Sequence, residues 1–179
     1  MTLRLGLVAR VFAGALLVVV SASAGADDGP RREVAPAFQA RTLDGRVVSL
    51  AAMLSRGPVV LDFWATWCRP CERSLPALQA LHARYAERGV TVLAISIDGP
   101  RNWARVRPFV AAHGLTLPVA IDEDGAIAKR YRIASVPASV VIAPDGRVVR
   151  FHAGYVPGDE QALEVAVRAA LGEPADSAR

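Results

Sequence analysis

The cysteines of this chain are the residues whose type and spacing point most directly to chemistry. There are two, separated by two residues in the segment Trp67-Cys68-Arg69-Pro70-Cys71. Two sulfurs at this spacing can form a disulfide, release it and form it again. The segment lies between an apolar run typical of a strand and a run typical of a helix. These features indicate thiol–disulfide exchange.

Exchange requires a thiolate, because the protonated thiol is a poor nucleophile. The predicted helix places Cys68 at its N-terminal end, where unpaired backbone N–H groups and the helix dipole favour negative charge. Pro70 suits the first turn of a helix, and Arg69 adds a positive charge beside the sulfur. We therefore expect Cys68 to be the exposed attacking thiol and Cys71 the recessed resolving thiol. We expect no cofactor beyond this redox-active disulfide, and no metal.

Other uses of a cysteine pair fit these residues less well and stay open as alternatives. A purely structural disulfide that closes so small a ring adds only about 2 kcal/mol in the chain-entropy treatment. A zinc site takes four ligands, whereas this chain has no second cysteine pair and its histidines, His82, His113 and His152, are dispersed. A copper-carrying module usually has one more residue between its cysteines.

A single acid, Asp62, interrupts the apolar run Val59 to Trp64, six residues before Cys68. A carboxyl group in a central strand loses hydration, which raises its pKa. If it lies near the recessed thiol, it can accept the proton of that thiol. The alternative is an aspartate that points to solvent from the end of the strand.

The elements that must position these residues alternate between strand and helix patterns. A hairpin around Asp44-Gly45 is predicted within 38–50. The predicted strands are 59–64, 90–97, 117–121, 138–143 and 148–152, and the predicted helices are 71–88, 102–113, 125–131 and 161–171. Alternation followed by a strand hairpin and a last helix favours an α/β sandwich with a mixed central sheet.

The segment 63–71, Phe-Trp-Ala-Thr-Trp-Cys-Arg-Pro-Cys, closely resembles the active-site segment of the thioredoxin superfamily. Pro76 matches the proline that kinks the following helix in that superfamily, and Val136-Pro137 resembles the segment carrying its cis-proline. The resemblance covers about 34–171. It implies a three-layer sandwich, a central mixed β-sheet flanked by helices. By its residue type alone, Pro137 could equally be an ordinary loop proline.

The same resemblance assigns roles around the cysteines. It implies that Cys68, Cys71 and Asp62 are the catalytic residues. It also implies that a further set shapes the active site and binds substrate. That set is Trp67, Arg69, Pro70, Val136 and Pro137.

Within the superfamily the chain looks like the exported TlpA/ResA-like branch. The start Pro36-Ala37-Phe38, the N-terminal hairpin and an extra strand–helix insertion over 98–121 carry this likeness. It implies a periplasmic reductase or a related dithiol enzyme. Members of this kind reduce cysteine pairs for cytochrome c maturation or in other exported partners and are recharged by a membrane thiol carrier. The direction of electron flow, reductase or oxidase, stays open.

Two positions depart from the pattern of that branch. Ser74 stands three residues after the second cysteine, where members often carry Glu. Asp62 stands where they often carry Asn, and an Asp there is a feature of thioredoxin itself. The departures concern the cytochrome role and leave the redox role intact.

The N-terminus is typical of an export signal. Arg4 and Arg10 precede the apolar stretch 11–20, and small residues follow. The predicted organisation is a signal peptide over 1–26, a linker over 27–33, the folded domain over 34–172 and a flexible tail over 173–179. An uncleaved membrane anchor is the alternative, and either reading places the domain outside the cytoplasm, in the periplasm.

Charge and motif spacing set the remaining expectations. The net charge of +4 falls to 19 basic against 17 acidic residues once Arg4 and Arg10 are set aside, and no basic stripe is present. We therefore expect no binding to nucleic acid. We also expect a monomer. A thiol peroxidase is the competing enzyme, although Ala65 occupies the position of its usual Thr. A non-catalytic binding module using the groove around Trp67 and Pro137 is the competing reading from another class.

Overall fold

The computed structural model describes residues 33–173. The predicted signal peptide, residues 27–32 of the linker and residues 174–179 of the tail lie outside the described residues. Within 33–173, no helix combines the length and the apolar character needed to cross a bilayer.

Strands and helices follow one another nearly as the sequence pattern predicts. In chain order they are β1 Gln39–Arg41, β2 Val47–Ser49, α1 Leu50–Leu54, β3 Val59–Trp64, α2 Arg69–Tyr85, β4 Thr91–Ser96, α3 Val106–Ala112, β5 Val119–Ile121, α4 Ala126–Arg130, β6 Ala138–Ile142, β7 Val148–Ala153 and α5 Asp159–Ala170. Single 3₁₀ turns extend α2 at its C-terminal end and precede α3.

The central sheet has the strand order β5-β4-β3-β6-β7. β3, β4 and β5 are parallel to one another, whereas β6 is antiparallel to β3 and β7 is antiparallel to β6. β1 and β2 form a separate antiparallel hairpin, which a backbone hydrogen bond from Leu43 to Val119 ties to β5. The mixed sheet, the N-terminal hairpin and the inserted α3–β5 segment are thus confirmed.

β3 is buried along its whole length and faces two different cores. Val59, Leu61 and Phe63 belong to the core cluster that contains residues of α1 and α4. Val60 and Trp64 belong to the cluster that contains residues of α2 and α5. Because side chains alternate between the faces of a strand, the sheet is covered on both sides, and the three-layer sandwich is confirmed.

One helix was not predicted. α1 is a five-residue helix whose N-cap, Ser49, accepts a hydrogen bond from the backbone N–H of Ala52. It buries Leu50 and Met53, which are three positions apart. Such a short segment shows a single turn of helical periodicity, too little to separate it from a loop in the sequence.

The residues next to the two predicted domain boundaries, Glu33 and Glu173, contact residues inside the domain. The backbone carbonyl of Glu33, placed in the linker, accepts a hydrogen bond from Val148 of β7. Glu173, placed in the tail, forms ion pairs with Arg88 and Arg168. The partner of Glu33 is distant in the sequence, and Arg168, one partner of Glu173, lies in the last turn of α5. Composition alone does not reveal such contacts.

Candidate active site

The two cysteines form a disulfide at the N-terminal end of α2, as predicted. Their Cα atoms are 5.3 Å apart. Cys68 is the N-cap of the helix, and its Sγ accepts a hydrogen bond of 3.2 Å from the backbone N–H of Cys71. Arg69 and Pro70 occupy the first two helical positions, where a missing N–H leaves no hydrogen bond unmade. The backbone therefore already supplies a donor to the sulfur that would become a thiolate.

The expectation of an exposed Cys68 is wrong for the oxidised protein. Cys68 is 4% exposed and Cys71 is 0% exposed. Cys68 is thus the more accessible of the two, as expected, but both residues are buried. The physical reason is that the Cys68 sulfur is bonded to that of Cys71, and both residues belong to the core cluster beneath α2. Trp67 and Arg69 on either side of Cys68 are exposed.

The peptide bond between Val136 and Pro137 is cis, which matches the resemblance and excludes an ordinary trans loop proline. Pro137 is buried, and its carbonyl accepts a hydrogen bond of 2.7 Å from Gly154. Val136 packs against the cluster that contains both cysteines. This segment therefore packs against the same core cluster as the disulfide, although Val136 lies 65 positions after Cys71 in the sequence. Pro76 lies inside α2.

Asp62 lies in the middle of β3 and is 2% exposed, so the alternative of a solvent-pointing carboxylate is wrong. Its Oδ1 accepts a hydrogen bond of 2.7 Å from the Ser139 hydroxyl. Burial raises the pKa of Asp62 to about 7, and the hydrogen bond from Ser139 opposes that shift. A carboxyl group with this pKa exchanges its proton near neutral pH.

A cavity connects Asp62 with the first turns of α2. Its wall includes Asp62, Ser139, Pro137 and Ser74. Ser74 lies one turn beyond Cys71, and its hydroxyl donates to the Cys71 carbonyl at 3.2 Å. One cavity on a single side of the sheet is therefore lined by Asp62, by the helix turn that follows Cys71 and by the cis-proline Pro137.

A second buried acid, Asp98, was missed as a site residue in the sequence analysis. It follows β4 directly and is 0% exposed. Its carboxylate accepts hydrogen bonds from the backbone N–H and the hydroxyl of Thr66, at 2.9 and 2.7 Å, and from Ser96 at 2.8 Å. Thr66 begins the turn that carries Trp67 and Cys68, so Asp98 fixes the approach to the helix. The sequence signal that could have identified Asp98 is its position at the end of an apolar run typical of a strand.

The histidines do not meet. The ring of His113 stacks on Phe109, and His152 hydrogen-bonds to Asp159. Burial lowers the pKa of His82. In the part of the chain that the structure describes, no group of three metal-ligating side chains is placed to hold a metal ion.

The sequence model of the AhpC/TSA family matches residues 32–151. A relative from Bacillus thuringiensis subsp. konkukian, the thiol-disulfide oxidoreductase ResA, is 38% identical over 116 residues, which are 65% of each chain. This chain thus spans just under two thirds of the length of that curated relative.

Two solved structures have the same architecture. A proposed thiol:disulfide interchange protein DsbE from Chlorobium tepidum superposes with a TM-score of 0.72 at 34% identity, covering 78% of this chain and 96% of the other. A secreted disulfide oxidoreductase of Mycobacterium tuberculosis, described as homologous to DsbE, gives a TM-score of 0.61 at 30% identity, covering 74% and 95%.

Proposed function

The chain belongs to the AhpC/TSA family of the thioredoxin superfamily, and on that premise we propose that it is a thiol–disulfide oxidoreductase that reduces cysteine pairs in exported proteins. One observation carries the proposal. The Cys68–Cys71 disulfide lies at the N-terminal end of α2, and the next turns of that helix line one cavity together with buried Asp62 and the cis-proline Pro137. The names of the relatives, an oxidoreductase and a DsbE protein, support it.

The first step uses the reduced protein. The Cys68 thiolate, stabilised by the helix N-terminus and by the Cys71 N–H, attacks one sulfur of the partner's disulfide. A Cys68–partner bond forms while the partner's own S–S bond breaks. The other partner sulfur leaves as a thiolate and takes a proton from solvent. Exposed Trp67 and the backbone at Val136 are positioned to contact the partner segment.

The second step releases the partner. Cys71 loses its thiol proton to the Asp62 carboxylate, and its sulfur attacks Cys68. The Cys68–Cys71 bond forms, and the second partner sulfur leaves as a thiolate. Two electrons have then passed to the partner. A membrane thiol carrier returns two electrons to the disulfide and closes the cycle.

The location and the partners form the finer part of the proposal. We place the protein in the periplasm, because the N-terminal sequence pattern is that of an export signal and one structural relative is described as secreted. Partners are exported proteins with reducible cysteine pairs, including those of cytochrome c maturation, and the protein acts on them as a monomer.

Reduction of insulin disulfides by the protein, with a chemical dithiol as electron source, tests the proposed activity. We expect turnover in the wild type and none in Cys68→Ser. Cys71→Ser should attack once and remain bonded to insulin as an adduct visible by mass spectrometry, because the resolving thiol is missing. Wild-type turnover in either variant would contradict the dithiol mechanism.

A parallel assay with hydrogen peroxide in place of insulin addresses the peroxidase alternative. Ala65 offers no hydroxyl beside Cys68, so we expect the peroxide to be consumed no faster than by the Cys68→Ser variant. Fast peroxide consumption together with weak insulin reduction would favour the peroxidase.

A further inference from the structure

Asp62, Ser139 and His152 form a row across three neighbouring strands. Asp62 of β3 is the register partner of Ser139 in β6, and Ser139 is the register partner of His152 in β7. Directly paired residues of antiparallel strands place their side chains on the same face of the sheet. The row therefore runs from the buried centre of the sheet to its edge strand, on the face covered by α2 and α5.

The cavity beneath α2 follows this row. Besides Asp62 and Ser139, its wall includes Arg150 and His152 of β7 and Asp159 of α5. Two buried polar atoms in this wall, Asp62 Oδ2 and Arg150 Nε, find no hydrogen-bond partner among residues 33–173. The carboxylate oxygen of Asp62 is a hydrogen-bond acceptor, and the Nε–H of Arg150 is a donor. Buried groups of this kind are normally satisfied by water when protein partners are missing.

The size of the cavity suits water. The volume of the cavity is about 30 Å³, and one water needs about 10–15 Å³. A small number of waters therefore fits. Polar atoms at both ends give such waters the hydrogen-bond partners that they require.

The solvent end of the row is a histidine–carboxylate pair. His152 Nε2 lies 2.9 Å from Asp159 Oδ2, and the two side chains are 30% and 20% exposed. Asp159 Oδ2 also accepts a hydrogen bond of 2.7 Å from the backbone N–H of Val156, which fixes the carboxylate at the start of α5. His152 is thus held in the cavity wall with part of its ring in contact with solvent.

We propose that water in this cavity, together with His152 and its partner Asp159, carries protons between Asp62 and solvent. The inference rests on the proposed dithiol function and adds to it a route for the proton. Near neutral pH some of the Asp62 carboxyl groups are protonated. Before such a group can accept the proton of Cys71, its own proton passes to a cavity water, then to the His152 imidazole and then to solvent. Asp62 returns to the carboxylate form, and no electrons move in this step.

Other charged groups face the same cavity and set its electrostatics. Arg150 of β7 carries a permanent positive charge, which contributes to a lowered pKa of Asp159 after the larger effect of the Val156 hydrogen bond. Burial and the neighbouring Glu160 raise the pKa of Tyr155, which keeps this phenol neutral. Ser74 and Ser139 are the uncharged polar residues of the wall. Among these groups, the imidazole of His152 is the one that can accept a proton at one ring nitrogen and release a proton from the other.

The test follows the reaction of the reduced full-length protein with an aromatic disulfide, 5,5′-dithiobis(2-nitrobenzoate), by absorbance. Each sulfur that leaves is a coloured thiolate, so attack by Cys68 and release by Cys71 appear as two phases. We expect His152→Gln to slow the second phase about fivefold near neutral pH, the scale of coupling between neighbouring groups, and to leave the first phase unchanged. The pH dependence of the second phase should shift as well. Asp159→Asn should act in the same direction.

Two comparisons separate proton transfer from a structural effect. His113→Gln is the matched control, because His113 is exposed and lies outside the cavity, and it should leave both phases unchanged. In an Asp62→Asn background, His152→Gln should cause no further slowing, since the group that it serves is gone.

The inference is overturned if His152→Gln and Asp159→Asn both leave the second phase and its pH profile unchanged. Equal slowing by His152→Gln with and without Asp62 also overturns it, because that result indicates a structural role. A first phase that persists in Cys68→Ser would instead remove the proposed function itself.

Discussion

At the scale of single residues, the chemistry depends on a carboxyl group that the fold has placed in an unfavourable environment. Asp62 is buried in the central strand with one hydrogen bond to a neutral hydroxyl and no cation paired with it among the described residues. Ser74, which stands at the position where the resemblance led us to look for Glu, lines the same cavity. In this cavity the carboxyl group therefore comes from Asp62 of β3, whereas α2 contributes the uncharged Ser74.

The buried acid should make stability depend on pH in a defined direction. The folded protein holds the Asp62 proton up to about pH 7, whereas the unfolded chain releases it near the ordinary value of 3.8. Stability due to this group is therefore full below pH 3.8 and is lost as the pH rises to about 7. We expect the stability of Asp62→Asn relative to wild type to increase by about 4 kcal/mol between acidic and mildly alkaline pH, at 1.36 kcal/mol per pKa unit.

Denaturant unfolding of the oxidised proteins at the two pH values measures this difference. Oxidised protein is used so that thiol titration does not contribute. Glu123→Gln, an exposed position, controls for the removal of one negative charge. An equal gain in stability at both pH values would show that the pKa of Asp62 is the same in the folded and unfolded states.

At the scale of elements, the active-site turn is held by the strand next to it. β3 and β4 are parallel, so their carboxyl ends lie at the same edge of the sheet. Asp98, just beyond β4, binds Thr66, just beyond β3, through the backbone and the hydroxyl. The turn that presents Trp67 and Cys68 is therefore tied to the start of the inserted segment.

Removing this connection should weaken both the fold and the attack by Cys68. Asp98→Ala leaves buried donors on Thr66 and Ser96 without their acceptor, and we expect a loss of about 3 kcal/mol. Thr66→Val removes one hydroxyl and should cost about 1 kcal/mol. Unfolding curves give both values, and insulin reduction should fall more in Asp98→Ala. Glu123→Ala, at an exposed site, is the control, and a loss no larger than its own would contradict the role of Asp98.

At the scale of the whole molecule, the two helices on the active-site face are joined through one glutamate. Glu164 of α5 accepts a hydrogen bond of 2.7 Å from the hydroxyl of Tyr85 at the end of α2 and also pairs with exposed Arg84. Tyr85 is buried, so its hydroxyl depends on this partner. The contact fixes α2 against the last element of the chain.

A double-mutant cycle should locate the energy of this contact. Glu164→Ala alone should cost about 1–2 kcal/mol, because a buried hydroxyl loses its acceptor. In a Tyr85→Phe background the same change should cost clearly less. Arg84→Ala, which breaks an exposed ion pair, should cost less than about 1 kcal/mol. Additive effects of the Glu164 and Tyr85 changes in thermal unfolding would show that the hydrogen bond contributes nothing.

The sequence alone determined the cysteine pair at a helix start and the order of most elements, whereas it left Asp62 either buried or pointing to solvent. These features are local, because the helix N-terminus, the apolar runs and the turn residues act over a few neighbouring positions. The short helix α1 was missed because one turn carries too little periodicity.

The tertiary structure decided which side chains meet. Strand register aligned Asp62 with Ser139 and His152, and the parallel pairing of β3 and β4 brought Asp98 to Thr66. Disulfide formation and core packing buried Cys68 as well as Cys71. The contacts of Asp62 with Ser139 and of Asp98 with Thr66 join residues tens of positions apart. Local sequence patterns predicted the hairpins, but they do not specify which residues of distant strands lie opposite each other.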